Sequence, residues 1–271
     1  DTSEVSLGAV NELLIDWENG GERILAYAAE RYGSPTRTIK NMSFYFRRGI
    51  SWTLITGDTP SFRRFGHGFI ITHKGPAIYF DDAESESECL GYLNSNVARR
   101  FLNTISPNFG IEVGHLKRIP IGDVSVAASQ PMGVEKCVRI AMRDWNAYER
   151  SWDFQSLPLL TASSEPAPAL ESSYTAWIAE NKNTIAEMKR LEEENNRLFI
   201  DAYGLQDELS PEVPIKQITL TVNPAYRYGG KLSEEQQWSR FRQDTMRELV
   251  AYAVGCMMGR YSLDKPGLIL A

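Results

Sequence analysis

Asn41-Met42-Ser43-Phe44-Tyr45-Phe46-Arg47-Arg48-Gly49-Ile50-Ser51-Trp52 is the stretch on which the reading of the fold turns. It sets paired arginines, aromatics and small hydroxyls on one short, strand-like ribbon, a chemistry that suits a nucleic-acid duplex better than a small metabolite. Its surroundings carry the same sign. Between positions 31 and 80 stand eight basic side chains (Arg31, Arg37, Lys40, Arg47, Arg48, Arg63, Arg64 and Lys74) against one acid, Asp58, in a chain whose net charge is −6. Positive charge gathered into one window is what a phosphate backbone needs, because each neutralised phosphate releases a counterion. A solvated basic face without a partner is the plainer alternative.

The texture on either side predicts an α+β fold. Positions 5 to 32 repeat apolar residues at three and four (Leu7, Val10, Leu14, Trp17, Ile24, Tyr27, Ala28), a helix weakened at Gly20-Gly21 and ended by Gly33-Ser34-Pro35. Short β-branched and aromatic runs follow at 44 to 46, 51 to 56, 69 to 72 and 77 to 80, separated by turn residues at 57 to 60 and 74 to 76. A helix is then expected over 84 to 102, a short strand ending at Ile121, and a helix over 134 to 148. The Ala/Pro/Ser-rich segment 161 to 169 is the expected boundary. From Tyr174 through Asn181, Ile185, Met188, Leu191 and Leu198 to Ala202 the apolar spacing predicts one long helix stopped at Gly204, and Ser233 with Gln236 reads as a capping box for a last helix reaching Met257. The division expected is a target-recognition-type sheet with flanking helices over 1–125, a bridge over 126–170, and a long-helix spacer with a helical C-terminal region over 171–271.

At 271 residues and 42% hydrophobic composition the chain is globular, with room for one large core or two modest ones. Cys89, Cys137 and Cys256 are too scattered for a disulfide framework or a zinc site, which suits a reducing cytoplasm. No apolar run reaches the ~18 residues of a spanning helix, so no membrane is expected. The chain opens on Asp1 with no initiator Met, and a piece of a larger protein is expected. The three histidines, His67, His73 and His115, stand in no recognisable nucleophile elbow. No catalytic, metal-binding or cofactor-binding residue is assigned. The candidate DNA-binding residues are Arg37, Lys40, Arg47, Arg48, Ser51, Thr53, Arg63, Arg64, His67 and Lys74, because guanidinium forks and hydroxyls address both phosphates and base edges. Arg99, Arg100, Lys117 and Arg118 extend the same chemistry, while Trp52, alternating with apolar neighbours, reads as core.

Three blocks taken together, 45 to 52, Leu90-Gly91-Tyr92-Leu93-Asn94-Ser95 and Val113 to Ile121, resemble the target recognition domains of type I specificity subunits and type IIG restriction-modification enzymes. Arg190 to Leu205 looks like the spacer helix that follows such domains. A narrower resemblance, carried by Asp144 to Phe154, Asn223-Pro224-Ala225-Tyr226-Arg227-Tyr228 and 248 to 266, is to the C-terminal part of the adenine-specific DNA methyltransferases of BREX type 1 systems. It implies a sequence-specific reader of duplex DNA in bacterial anti-phage defence, non-catalytic alone, with other BREX subunits as possible partners. It also implies S-adenosylmethionine and the methyl-transferring domain upstream of this segment. The tetrapeptide at 223, one residue from the Asn-Pro-Pro-Tyr type of adenine methyltransferases, is then a decoy. A protein-interaction module that docks a partner through the stripe at 174 to 202 is the alternative, and an autonomous methyltransferase a third reading.

Overall fold

The computed structural model describes residues 14–55, 60–72, 75–106, 110–122, 131–163 and 169–269. The fold is α+β. Its sheet is small: β1 (Gly49–Trp52) lies between β2 (Phe62–Phe65) and β3 (Ala77–Tyr79), antiparallel to both. Gly49 is required at its position, because a Cβ there would stand 2.3 Å from the Ile78 carbonyl oxygen. The same half of the chain holds α1 (Glu22–Tyr32), α2 (Ala83–Leu93), α3 (Asn96–Ile105) and α4 (Val113–Leu116), of which α2 packs on the sheet. Beyond it come α5 (Pro131–Asn146), α6 (Leu170–Tyr203), α7 (Pro224–Tyr228) and α8 (Glu234–Met257).

Several expectations need correction. The run 44 to 46 is no strand: Met42–Phe44 forms a 3-10 turn after a left-handed Asn41, and Phe46 sits at φ 65. The apolar run 69 to 72 joins no ladder, and β2 was not anticipated. The helix of 84 to 102 is two helices, broken where Ser95 accepts from the Ala98 N–H as N-cap of α3. The strand expected to end at Ile121 is absent, its place taken by α4 and turns. The first helix starts at Glu22 after a 3-10 turn, and the part of it expected before position 14 lies outside the described residues, as does most of 161 to 169. By contrast α6 runs to a left-handed Gly204 and α8 opens on a reciprocal Ser233/Gln236 capping box.

The core around the sheet collects the first group of sequence blocks. Ile50, Trp52 and Phe62 pack with Leu90, Tyr92, Leu93, Val97 and Leu102, and with Phe199 and Ile200 from the end of α6. Trp52, read as core, is 3% exposed and donates its indole N–H to the Ile111 carbonyl at 2.7 Å. Asn94 clamps β2 by accepting from the Phe62 N–H and donating to the Phe62 carbonyl, both at 3.1 Å. Tyr92 and Tyr203 stack at 5.7 Å and both donate to the Pro120 carbonyl. Gly91 permits the close crossing of α2 and α6, since a Cβ would meet Asn195 Oδ1 at 2.9 Å.

A second core joins Ala141, Trp177, Ile185, Met188, Ile218, Leu220 and Phe241. Here the second group of blocks meets. Buried Asp144 accepts from the Thr221 and Val222 N–H groups at 2.7 and 3.0 Å, pinning the segment before α7. Burial pushes this carboxyl up, and the two N–H donors work against that shift. Phe154, Tyr252 and Tyr261 form a small satellite cluster at the end of α8. The segment 218 to 222, strand-like in sequence, is a buried turn.

Candidate nucleic-acid interface

Strand alternation sorts the arginines. In an antiparallel pair, directly opposed residues share a face and successive residues change face. Ile50 stands opposite Arg64, and Trp52 opposite Phe62, so Arg64 is on the face that packs against α2. Ser51 stands opposite Arg63 and Ala77, so Arg63 is on the other, outward face.

The inward arginines are engaged in holding the fold. Arg64 grips Glu135 of α5 with two bonds, 2.9 and 2.7 Å, and its Nε lies 2.5 Å from Glu86 Oε1. Arg48 reaches the other oxygen of Glu86 at 2.8 Å, and Ser87 Oγ accepts from Arg64 at 2.8 Å. Glu86 is fully buried. Its contacts are ionic approaches rather than aligned hydrogen bonds. Burial opposes the Arg64 charge, but Glu135 and Glu86 outweigh it and its pKa is raised. The Arg64 fork in turn holds Glu135 below the usual carboxylate range. A buried carboxylate between two guanidiniums joins β1, β2, α2 and α5, and removing any member leaves a costly unpaired charge.

The outward arginines are held differently. Arg63 is half-buried, makes no ion pair among the described residues, and leaves its Nε without a partner. Burial lowers its pKa to about 10, with the Tyr226 phenol the one group opposing that shift. Arg47 is 40% exposed and pairs at 3.0 Å with Asp81, itself 99% exposed. Its guanidinium lies over the rings of Phe44 and Tyr79 at 5.5 and 5.8 Å. Ser51 donates to the Pro76 carbonyl at 3.0 Å. Arg37, Lys40, Thr53 and His67 are exposed. Arg37 is near the Tyr32 carbonyl, and His67 Nδ1 lies 3.2 Å from the Phe46 carbonyl oxygen. Lys74 lies outside the described residues. Of the further basic residues, Arg100, Lys117 and Arg118 are exposed, whereas Arg99 faces Glu192 of α6.

Catalytic chemistry finds no foothold at the tetrapeptide. Asn223 is 1% exposed, donates to the Ile215 and Ile218 carbonyls at 2.7 and 2.8 Å, and caps α7 by accepting from the Ala225 N–H. Its side chain is committed to holding this turn and is closed to solvent. The turn at Gly66 to Gly68 follows a strand but opens no helix, so it lacks the strand–turn–helix form of a cofactor loop. Burial pushes the Cys89 and Cys137 thiols up to about 12, which removes them as nucleophiles. Among the described residues no group of His, Cys, Asp and Glu could hold a metal ion. No described helix is long and apolar enough to cross a membrane.

Sequence reasoning missed the role of Glu86. Within Glu84-Ser85-Glu86-Ser87-Glu88 it reads as one acid of a solvated helix start, and only the face parity of Arg48 and Arg64 with Ile50 points to it.

No protein-family model matches the chain. It is 31% identical over 260 residues to the adenine-specific methyltransferase PglX of Lacticaseibacillus casei (strain Zhang), covering 95% of this chain and 20% of that protein. The chain corresponds to a C-terminal part of a PglX-type methyltransferase. It is also 27% identical over 263 residues to the adenine-specific methyltransferase BrxX of Escherichia coli O9:H4 (strain HS), covering 96% of this chain and 20% of that protein. The chain therefore spans about a fifth of the length of the curated PglX-type relatives it matches.

Proposed function

We propose that this chain is the sequence-specific duplex-DNA recognition part of an N6-adenine DNA methyltransferase serving a bacterial BREX anti-phage system. It docks on the duplex and sets where a catalytic domain outside this chain flips its adenine. The observation that carries the reading is the outward sheet face. Arg63 stands there opposite Ser51, half-buried and without a carboxylate among the described residues. A guanidinium held in that state gains from a phosphate or from the O6 and N7 edge of guanine. In this reading Arg47, Arg37, Lys40, Thr53 and His67 add backbone or edge contacts, and Lys74 joins them on charge alone. Arg48 and Arg64 stand behind the face and position it.

In this reading residues 1–125 read DNA, 126–170 bridge, and 171–271 form the spacer and C-terminal region. S-adenosylmethionine belongs to the whole protein and binds outside this chain, and the chain alone transfers no methyl group. The setting is the cytoplasm, with other BREX subunits as further partners. The interaction-module alternative has less surface to offer, because Asn181, Ile185, Met188 and Leu191 of the α6 stripe are already buried within the chain.

The test is fluorescence anisotropy of a random-sequence duplex titrated with this chain at low and physiological salt. The expected result is binding that weakens steeply with salt. Absence of binding even at low salt would overturn recognition by this chain.

A further inference from the structure

We infer that Phe46 is a wedge residue, whose ring enters the base stack of duplex DNA when the outward face docks. The inference rests on the DNA-recognition reading and adds to it a residue and a mode of contact, an opened base step.

The backbone of Phe46 lies at φ 65, a conformation that side chains other than glycine rarely adopt and that bulky ones adopt least. Local hydrogen bonds hold it there. The Phe46 N–H donates to the Phe69 carbonyl at 2.9 Å, the Gly68 N–H donates back to the Phe46 carbonyl at 3.2 Å, and His67 Nδ1 sits 3.2 Å from that same oxygen. Strain of this kind persists only where the surrounding structure holds it, and it clusters at functional sites. The residue is 39% exposed, with Phe44 at 40% and Met42 at 41%. Trp17 and Tyr45 support it edge-on, with centroids at 6.0 and 6.3 Å.

The neighbouring charges define the occupant. Arg47 follows Phe46 directly and lies over Phe44 and Tyr79, and exposed Arg37 and Lys40 precede the turn. A supported apolar ring on a turn that is followed by Arg47 and preceded in sequence by two exposed cations fits a partner that is anionic at its edge and aromatic within. Duplex DNA has both properties, and apolar wedges between base steps are an established way to open it. Neither a solvated basic face nor an ordinary turn needs an aromatic ring at this backbone angle.

The test compares two duplexes of one sequence, intact and with a single central abasic position. The abasic duplex has already lost a stacking partner, so the wild-type chain is expected to bind it roughly tenfold more tightly. In Phe46→Gly, which suits the backbone angle and so should not lower Tm, that preference should fall to about one while salt-dependent binding persists. Phe46→Trp should restore the preference. A preference retained in Phe46→Gly, or absent from the wild type, overturns the wedge and leaves the recognition reading standing. Failure of the wild type to bind either duplex overturns the recognition reading and the wedge with it. A concentration-dependent dimer on gel filtration that Phe46→Gly abolishes would place the ring against a second copy and also overturn the wedge.

Discussion

The two faces of the sheet carry arginines of the same type with opposite fates. Inward, Arg48 and Arg64 converge on fully buried Glu86, and Arg64 adds a two-bond grip on Glu135. Outward, Arg47 has only the solvent-exposed Asp81 as counter-ion and Arg63 has none among the described residues. One step along a strand separates Arg63 from Arg64, yet it divides a residue paired with two buried or half-buried carboxylates from one that has no carboxylate among the described residues. Charge density in a sequence window is thus a poor count of available charge. Two of the arginines that make this window basic are neutralised from behind by α2 and α5.

The contrast can be broken most forcefully at Glu86. Glu86→Ala leaves two inward guanidiniums without their shared carboxylate, and the expected cost is about 3–5 kcal/mol in urea unfolding. A loss below about 1 kcal/mol would mean that Arg48 and Arg64 are as loosely held as Arg47.

Arg63→Ala tests the other face. It should weaken duplex binding by about 1–3 kcal/mol in an anisotropy titration while leaving the urea midpoint unchanged or slightly raised, because an unpaired half-buried charge is removed. A fall in stability with binding intact would move Arg63 to the inward class.

A half-buried glutamate sharpens the comparison. Glu192 of α6 has its pKa raised by burial to about 7, with Arg99 opposing the shift, whereas Glu86 sits between two arginines. A carboxyl with a folded-state pKa above its ordinary 4.5 binds more protons folded than unfolded in that interval. Its contribution to stability is therefore present at low pH and lost as pH rises through about 7. Glu192→Gln should add roughly 1–2 kcal/mol at pH 8 and flatten the stability profile between about pH 5 and 7. An unchanged profile would show that Arg99 compensates the burial in full.

How much of this was legible depends on how local the deciding interaction is. The long helix α6 and the capped helix α8 follow from apolar spacing and from Ser233 with Gln236, signals contained within a few turns. Strand β2 was hidden because Phe62 and Phe65 are both buried three residues apart, which breaks the expected alternation. Phe65 fits because it is paired opposite Gly49, a cross-strand fact absent from its own segment. The break between α2 and α3 was readable in principle, since Ser95 is a favoured cap residue, but the apolar spacing across it masked the signal. The basic window names the arginines of the sheet without their faces. Those faces depend on which strand position opposes Ile50, and the strand pairing alone supplies that.

The most direct test of the account is the slope of log Kd against log salt for a random duplex. It should be measured for the wild type, for Arg47→Ala/Arg63→Ala and for Arg48→Ala/Arg64→Ala, with the folded fraction of each followed by circular dichroism. The account predicts that the outward double variant stays folded and loses about two from the slope, roughly 0.9 per phosphate contact, while the inward one keeps the slope per folded molecule and loses stability. An unchanged slope in the outward variant, or a reduced slope confined to the inward one, would contradict it.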